Sequence, residues 1–334
     1  MNLIHTIVQN MSTISTPQRK FLVILLTTIQ LLRGKMTFRN VSRSRDVHEK
    51  TDARQFQASR DFAGGHAYAI ATFLPQTTTK IATLDGTFVA TSGKQTYGLD
   101  MFDHSSHDRA ERGLEFSELA VVDVDSGTAY HLSMKQTPET LPLTHHLGPD
   151  KTRMDWSASH LWQDGPLLPS EVSLLAADGD YAKRKFVDSV CAFGLHLSSK
   201  LRHDANLRDL LTGPHPKRRG ARKRSDGNVN LQALRRLTPL PLSKTVTRYP
   251  AAVNRVSLKR NIQRVSVCNR QGTTRLTAVL FSTDPTFAAE DVYRFYPARF
   301  QIEFLFRDAT HRLPDLPTFK HAQRRELRSM GMPP

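Results

Sequence analysis

The stretch Tyr296-Pro-Ala-Arg299-Phe-Gln-Ile-Glu303-Phe-Leu-Phe-Arg307-Asp308 decides how the rest of the chain is read. It sets one carboxylate, Glu303, in an apolar, aromatic segment of helical character. Arg299 lies four residues before Glu303 and Tyr296 three before Arg299, so the three fall on one helical face. Pro297 disfavours helix at Tyr296 and predicts a helix start or a kink at its own position. By itself the segment favours a plain reading, in which Phe300, Phe304 and Phe306 are core and Arg299 with Glu303 is an ordinary ion pair. Two distant Asp-Gly sites change that.

The first follows the short strand Lys80-Ile-Ala-Thr-Leu84 and begins at Asp85. The second follows the apolar strand Glu171–Ala177 and begins at Asp178. Side chains at strand ends of a helix-covered sheet line an open edge where ligands bind, and a carboxylate on a packed helix can reach that edge. Asp85, Asp178 and Glu303, with no cysteine among them, suit a hard cation, Mg²⁺ or else Mn²⁺. Two such ions can drive phosphodiester displacement. Asp-Gly is also a common turn pair, and Asp226-Gly227 is one with no such strand before it. Either Asp alone therefore reads as a turn. Asp180 adds an acid two residues past Asp178, able to repel or to recruit a cation.

The charge balance agrees with a polyanionic substrate. The 334 residues carry a formal charge of +16, with a pI near 10.1. Nucleic acid is the first candidate for such a surface. An anionic membrane would need a basic amphipathic helix or a lipid anchor, and neither is evident. The longest apolar run, Phe21–Leu32, is too short to span a bilayer and reads as a buried helix. Two cysteines exclude a Cys-rich zinc site and a disulfide framework, and fit a reducing cytosol.

Organisation follows from composition. Residues 1–75 read as a helical DNA-binding domain and linker, helical over 1–57: a helix over 1–10, another over 18–32 started by Ser15-Thr16-Pro17, then two short helices from Thr37 and from Glu49. The last pair suits a helix-turn-helix reader of the major groove, with Lys50 and Arg54 toward DNA. Residues 58–78 read as a linker on the strength of Gly64-Gly65, Pro75 and a Thr run. Residues 76–205 alternate: strands over 80–84, 114–124 and 128–136, a helix over 152–163, a strand over 171–177, a helix over 182–193 and a strand over 195–201. That order predicts an α/β fold with a mixed sheet flanked by helices. Residues 206–280 form a basic, β-rich insertion. It opens with Pro214–Arg224, whose Lys217, Arg218, Arg219, Arg222, Lys223 and Arg224 suit a phosphate-contacting arm. Residues 281–309 carry the last helix and 310–334 a divergent tail.

Longer words carry a family resemblance. They are Leu32-Arg33-Gly34 to Phe38-Arg39-Asn40, Glu49-Lys50-Thr51 with Arg54-Gln55-Phe56, and Asp85-Gly86-Thr87-Phe88 with Ser92-Gly93-Lys94. Further on come Arg109–Glu115, Asp178-Gly179 with Tyr181-Ala182-Lys183, Lys200-Leu201-Arg202, and Arg299–Asp308. The chain resembles bacterial insertion-sequence transposases of the Asp-Asp-Glu type, in the branch marked by Tyr, Arg, Glu and Lys around the last acid. The resemblance implies a ribonuclease H-like fold, Asp85, Asp178 and Glu303 as Mg²⁺ ligands, and Tyr296 and Arg299 at the scissile DNA. It also implies an N-terminal DNA-binding helical domain, double-stranded DNA as partner, a possible homodimer on that DNA, and a place in the bacterial cytoplasm on the nucleoid. Arg299 is expected to face DNA phosphate. One departure stands out. The signature Lys falls at position 310, where this chain has Thr310. Pro314 and Pro317 predict that the helix stops at Ala309, and a frameshift near codon 309 would explain the change. The gene tests this: neither alternative frame encoding Lys and a continued helix would exclude it. The alternative function is an inactive, truncated DNA-binding remnant.

Overall fold

The computed structural model describes residues 3–11, 14–32, 37–45, 47–56, 58, 60–91, 96–104, 109–138, 152–211, 213, 225–231, 234, 237–244, 246–269 and 275–312. Five helices come first: α1 (Leu3–Gln9), α2 (Thr16–Leu31), α3 (Phe38–Arg43), α4 (Glu49–Phe56) and α5 (Phe62–Phe73). Ser15 caps α2 reciprocally with Gln18, and Pro17 occupies its first turn, where a missing N–H costs nothing. Ile4, Val8, Leu22, Leu25 and Val41 bury one shared apolar cluster between α1, α2 and α3. Arg45, just past α3, is ion-paired with the fully buried Asp52 of α4, and this ties the two short helices together.

The stretch read as a linker contains α5. Asp61 caps it, accepting a hydrogen bond from the Gly64 N–H at 2.7 Å, and Ile70 and Leu74 anchor it in the main core. Gly64 and Gly65 lower helix propensity, but Gly65 faces Met11, whose side chain would crowd any Cβ there at 3.2 Å. The pair that signals a loop in sequence is thus partly a packing requirement.

The sheet is built from β1 (Lys80–Ala90), β2 (Asp100–His104), β3 (Arg109–Asp123), β4 (Thr128–Gln136), β5 (Leu174–Ala177) and β6 (His196–Leu201), with α6 (Arg153–Asp164) and α7 (Arg184–Phe193) between the last strands. β3 pairs antiparallel with both β1 and β4, while β5 pairs parallel with β1 and β6 parallel with β5. The order β4-β3-β1-β5-β6 is the ribonuclease H-like mixed sheet that the resemblance implied. β7 (Leu207–Leu210), β8 (Ser225–Asn228), β9 (Leu240–Pro241), β10 (Val246–Arg255), β11 (Arg260–Asn269) and β12 (Arg275–Ser282) follow. This β-rich insertion continues the same sheet, because β12 pairs antiparallel with β6.

Helices cover both faces. α6 and α7 pack on one, over Leu84, Leu119, Leu175 and Leu197. On the other lie α8 (Ala289–Ala298), across β5, β6, β11 and β12, and α9 (Gln301–Arg312), across β1, β3 and β4. The single helical segment of the sequence reading is therefore two helices. Tyr296 remains helical and Pro297 lies in the last turn of α8. Proline removes one donor and crowds the preceding turn. The chain recovers through four short-range bonds, from the N–H groups of Arg299, Phe300, Ile302 and Glu303 to the carbonyls three residues back, at 3.0–3.2 Å. The helix expected to stop at Ala309 continues to Arg312. It ends two residues before Pro314, the reach that proline's steric bias against helix in its predecessor allows.

Candidate active site

Asp85 does not end its strand. β1 runs through Asp85-Gly86 to Ala90 because the long β3 supplies partners throughout, with Asp85 opposite Glu118 and Gly86 opposite Ser117. Asp178 does end one. It follows Ala177, which pairs with Leu84, so Asp178 comes off the end of β5 beside Asp85 within the neighbouring β1. Glu303 comes from the first turn of α9, on the helix laid over these strands.

The three carboxylates surround one guanidinium. Arg299 Nη1 lies 3.3 Å from Asp85 Oδ2 and 3.4 Å from Glu303 Oε1, and Nη2 lies 3.4 Å from Asp178 Oδ1. Tyr296 donates its hydroxyl to Asp178 Oδ1 at 3.4 Å. The sequence-predicted acids, arginine and tyrosine are thus brought together from positions more than 200 residues apart. Arg299 does not face outward to meet DNA in this state. It is 5% exposed, because a cation among three acids is worth more than one in water when Asp85 is partly desolvated. Its guanidinium also rests on the Phe300 ring at 4.4 Å and the Tyr296 ring at 5.6 Å. Asp180 is exposed on the turn after Asp178 and is not among the acids that Arg299 holds.

Burial pushes the Asp85 carboxyl up to about 6, against the opposing pull of Arg299 and of the Gly86 N–H, with Asp178 and Glu303 adding to the rise. Burial likewise lifts the Tyr296 phenol to about 12, so it stays a proton donor at neutral pH. Such a displacement of an acid beside like charges is typical of functional sites.

Glu118 escaped the sequence reading. As the cross-strand partner of Asp85 it shares that face of the sheet. It is 1% exposed, burial raises its carboxyl, and His131 Nδ1 lies 2.7 Å from its Oε1. The signal was an acid immediately before the apolar run Leu119–Val122 of the strand Leu114–Val124.

All-oxygen donors at a partly buried sheet edge suit a divalent hard cation, and the side chains able to hold one are Asp85, Asp178 and Glu303. As they stand they are spread round the guanidinium. Among the described residues no three His, Cys, Asp or Glu side chains are close enough to share an ion.

The profile of the Transposase DDE domain family matches residues 77–314. The chain belongs to this family. All three acids of the cluster lie inside the matched region. Among solved structures, the chain is similar to a piggyBac transposase in a synaptic complex with hairpin DNA, at 10% identity and a TM-score of 0.37. The match covers 92% of this chain and 57% of that one, so this transposase domain protein spans little more than half the length of that structure. No curated protein matches the chain.

Of the residues expected at DNA, Lys50 and Arg54 are exposed, four apart on α4 and away from the buried Asp52. Lys217, Arg218, Arg219, Arg222, Lys223 and Arg224 lie outside the described residues. Among the described residues, no helix is long and apolar enough to cross a membrane.

Proposed function

We propose that the protein is a DNA transposase that cuts phosphodiesters at the ends of a bacterial insertion sequence and joins them to target DNA, within the Tyr-Arg-Glu-Lys branch. One observation carries the reading: Asp85, Asp178 and Glu303 converge on a single cation from two strands and a helix. Asp85, Asp178 and Glu303 would hold Mg²⁺, or Mn²⁺ in its place. When bound, the metal supplies Lewis-acid polarisation of the scissile phosphate and eases ionisation of the attacking hydroxyl. The protein's own groups do the rest. Tyr296 keeps its proton and offers it as a hydrogen bond, Arg299 can pair with phosphate oxygens through its planar fork, and the excess of 47 Lys and Arg over 31 Asp and Glu retains the polyanion. Lys50 and Arg54 on α4 would contact the duplex of the element end.

The test is cleavage of DNA carrying the sequences that flank the gene, in Mg²⁺. Asp85→Asn, Asp178→Asn and Glu303→Gln are each expected to abolish cleavage while gel-shift binding persists. Retained cleavage in all three would remove the assignment. Substituting Lys50 and Arg54 by Ala should weaken duplex binding and lower the slope of log affinity against log salt by roughly one per residue.

Thr310, at the position of the signature Lys, favours a second reading, a protein that occupies element ends without cutting them. Against it, the backbone of α9 continues through position 310. Binding by gel shift with no Mg²⁺-dependent nicking would select this second reading.

A further inference from the structure

We infer that Arg299 is a resident counter-ion that keeps divalent cations out of the carboxylate cluster until a DNA phosphate draws it away, so that metal loading and DNA binding are coupled through this one side chain. The inference rests on the reading above that Asp85, Asp178 and Glu303 form the cation site.

Three features support it. The first is position. The guanidinium touches all three acids at once, so it fills the point on which their charges converge. A divalent ion beside it would be repelled by its fixed charge in this partly buried site, where charges are screened less than in water. A cation and Arg299 therefore compete for the same oxygens.

The second is the looseness of the hold. All three contacts measure 3.3–3.4 Å, beyond the usual 2.7–2.9 Å of a charge-assisted bond. No acid pairs with Arg299 in a short bidentate fork, and its buried Nε has no hydrogen-bond partner. The guanidinium is held by the sum of three fields, which a better-fitting oxyanion can replace. A phosphate offers the bidentate geometry that this arrangement lacks.

The third is its place in the chain. Arg299 sits at the break between α8 and α9, immediately after the turn that contains Pro297. Phe300, on which the guanidinium rests, is 43% exposed, so the way outward is short. Moving Arg299 onto a phosphate would release the carboxylates and put its charge on the DNA in a single step, a reciprocal coupling of two ligands.

The measurement is Mn²⁺ binding followed by electron paramagnetic resonance of the free ion, on wild type and Arg299→Ala, each with and without a short random-sequence duplex. Wild type alone should bind Mn²⁺ weakly and should tighten on adding DNA. Arg299→Ala alone should bind roughly tenfold tighter or more than wild type alone, and DNA should add little. DNA oxygens that merely ligate the ion would tighten both proteins alike, and so the difference between the two proteins isolates Arg299. Equal Mn²⁺ affinity of the two proteins without DNA would overturn the inference, as would equal tightening by DNA.

Removing the cation exposes three acids to one another, so folding is followed in parallel. Mn²⁺ should raise the melting temperature of Arg299→Ala more than that of wild type, and a variant that folds only with Mn²⁺ supports the inference. Arg299→Lys keeps the charge but lacks the fork that spans three carboxylates, and should bind Mn²⁺ with intermediate affinity. If Arg299→Ala does not fold, wild-type affinity in Arg299→Lys overturns the inference. Asp85→Asn separates the two levels of the account. Mn²⁺ binding that survives Asp85→Asn removes the carboxylate site itself, whereas binding lost in Asp85→Asn but equal in wild type and Arg299→Ala removes only the gate.

Discussion

The two faces of the central sheet bury polar groups in opposite ways. On the α6 side, His160 is 1% exposed and held between two hydroxyls, with Nδ1 2.9 Å from Ser117 Oγ and Nε2 2.7 Å from Ser133 Oγ. Burial lowers the proton affinity of its ring, and the Asp164 carboxylate 3.4 Å from Nε2 completes the set of partners around the ring. On the α9 side, three carboxylates share one guanidinium at 3.3–3.4 Å. Buried polar groups that are fully paired rigidify a fold, and those paired only in part are poised to exchange partners. The same β3 contributes to both faces: Ser117 points to the staple and its neighbour Glu118 to the site. Alternation along one strand separates scaffold from chemistry by a single residue.

The largest effects fall on the site face. Asp178→Asn and Glu303→Gln should each take Mg²⁺-dependent end cleavage below detection while leaving the melting temperature at or above that of the metal-free wild type. Removing one acid relieves repulsion around Arg299, so a large loss of stability would mean that the cluster is scaffold after all.

The staple face should respond in the reverse sense. His160→Leu leaves Ser117 without its ring partner and removes the nitrogen shared by Ser133 and Asp164, and should cost about 2 kcal/mol by denaturant unfolding. Mn²⁺ affinity per folded molecule should not change. A changed affinity would show that the two faces are not independent.

The edge between them carries a pH signature. His66 of α5 meets the carbonyl of Leu132 at 3.1 Å and the His131 ring edge-on at 4.9 Å. Burial first, and His131 second, push its ring down to about 4. The unfolded chain takes up this proton near 6.5 and the native one only near 4, so stability is lost as pH falls from 6.5 towards 4. After discounting for partial exposure, the loss is about 2 kcal/mol. His66→Gln should flatten that part of the profile, and a profile as steep as wild type would assign the effect elsewhere.

The smallest effect belongs to Tyr296. Its 3.4 Å bond to Asp178 is long, so Tyr296→Phe should cost under about 1 kcal/mol of stability. Thermal unfolding compared with His160→Leu would rank the two contacts directly.

The sequence made much of this legible, for identifiable reasons. Asp85, Asp178, Tyr296, Arg299 and Glu303 stood out because charge and phenol in apolar strands and helices need a partner, and the structure supplies each with one. Other features depended on partners far along the chain. Asp85-Gly86 reads locally as a turn, and only β3, opposite it, holds the pair extended. α5 was hidden by Gly64-Gly65, of which Gly65 packs against Met11 from the connection between α1 and α2. The short β2 escaped notice because its pairing with the start of β3, and not its own composition, makes it a strand. Arg299 was expected to face phosphate because the spacing shows its i,i+4 partner Glu303 but not Asp85 and Asp178, which reach it from far along the chain. Three acids were closer than any DNA.

Whether one cation sits among Asp85, Asp178 and Glu303 decides what the cluster is for. Iron(II) in place of Mg²⁺, with hydrogen peroxide as oxidant and ascorbate to regenerate the iron(II), produces hydroxyl radicals that cut the polypeptide beside the ion, and mapping the fragments from the DNA-bound protein reads the site directly. The account predicts cuts beside Asp85, Asp178 and Glu303, suppressed by excess Mg²⁺ and lost in Asp85→Asn. Cuts elsewhere in the chain, or the same three cuts persisting in Asp85→Asn, would contradict it.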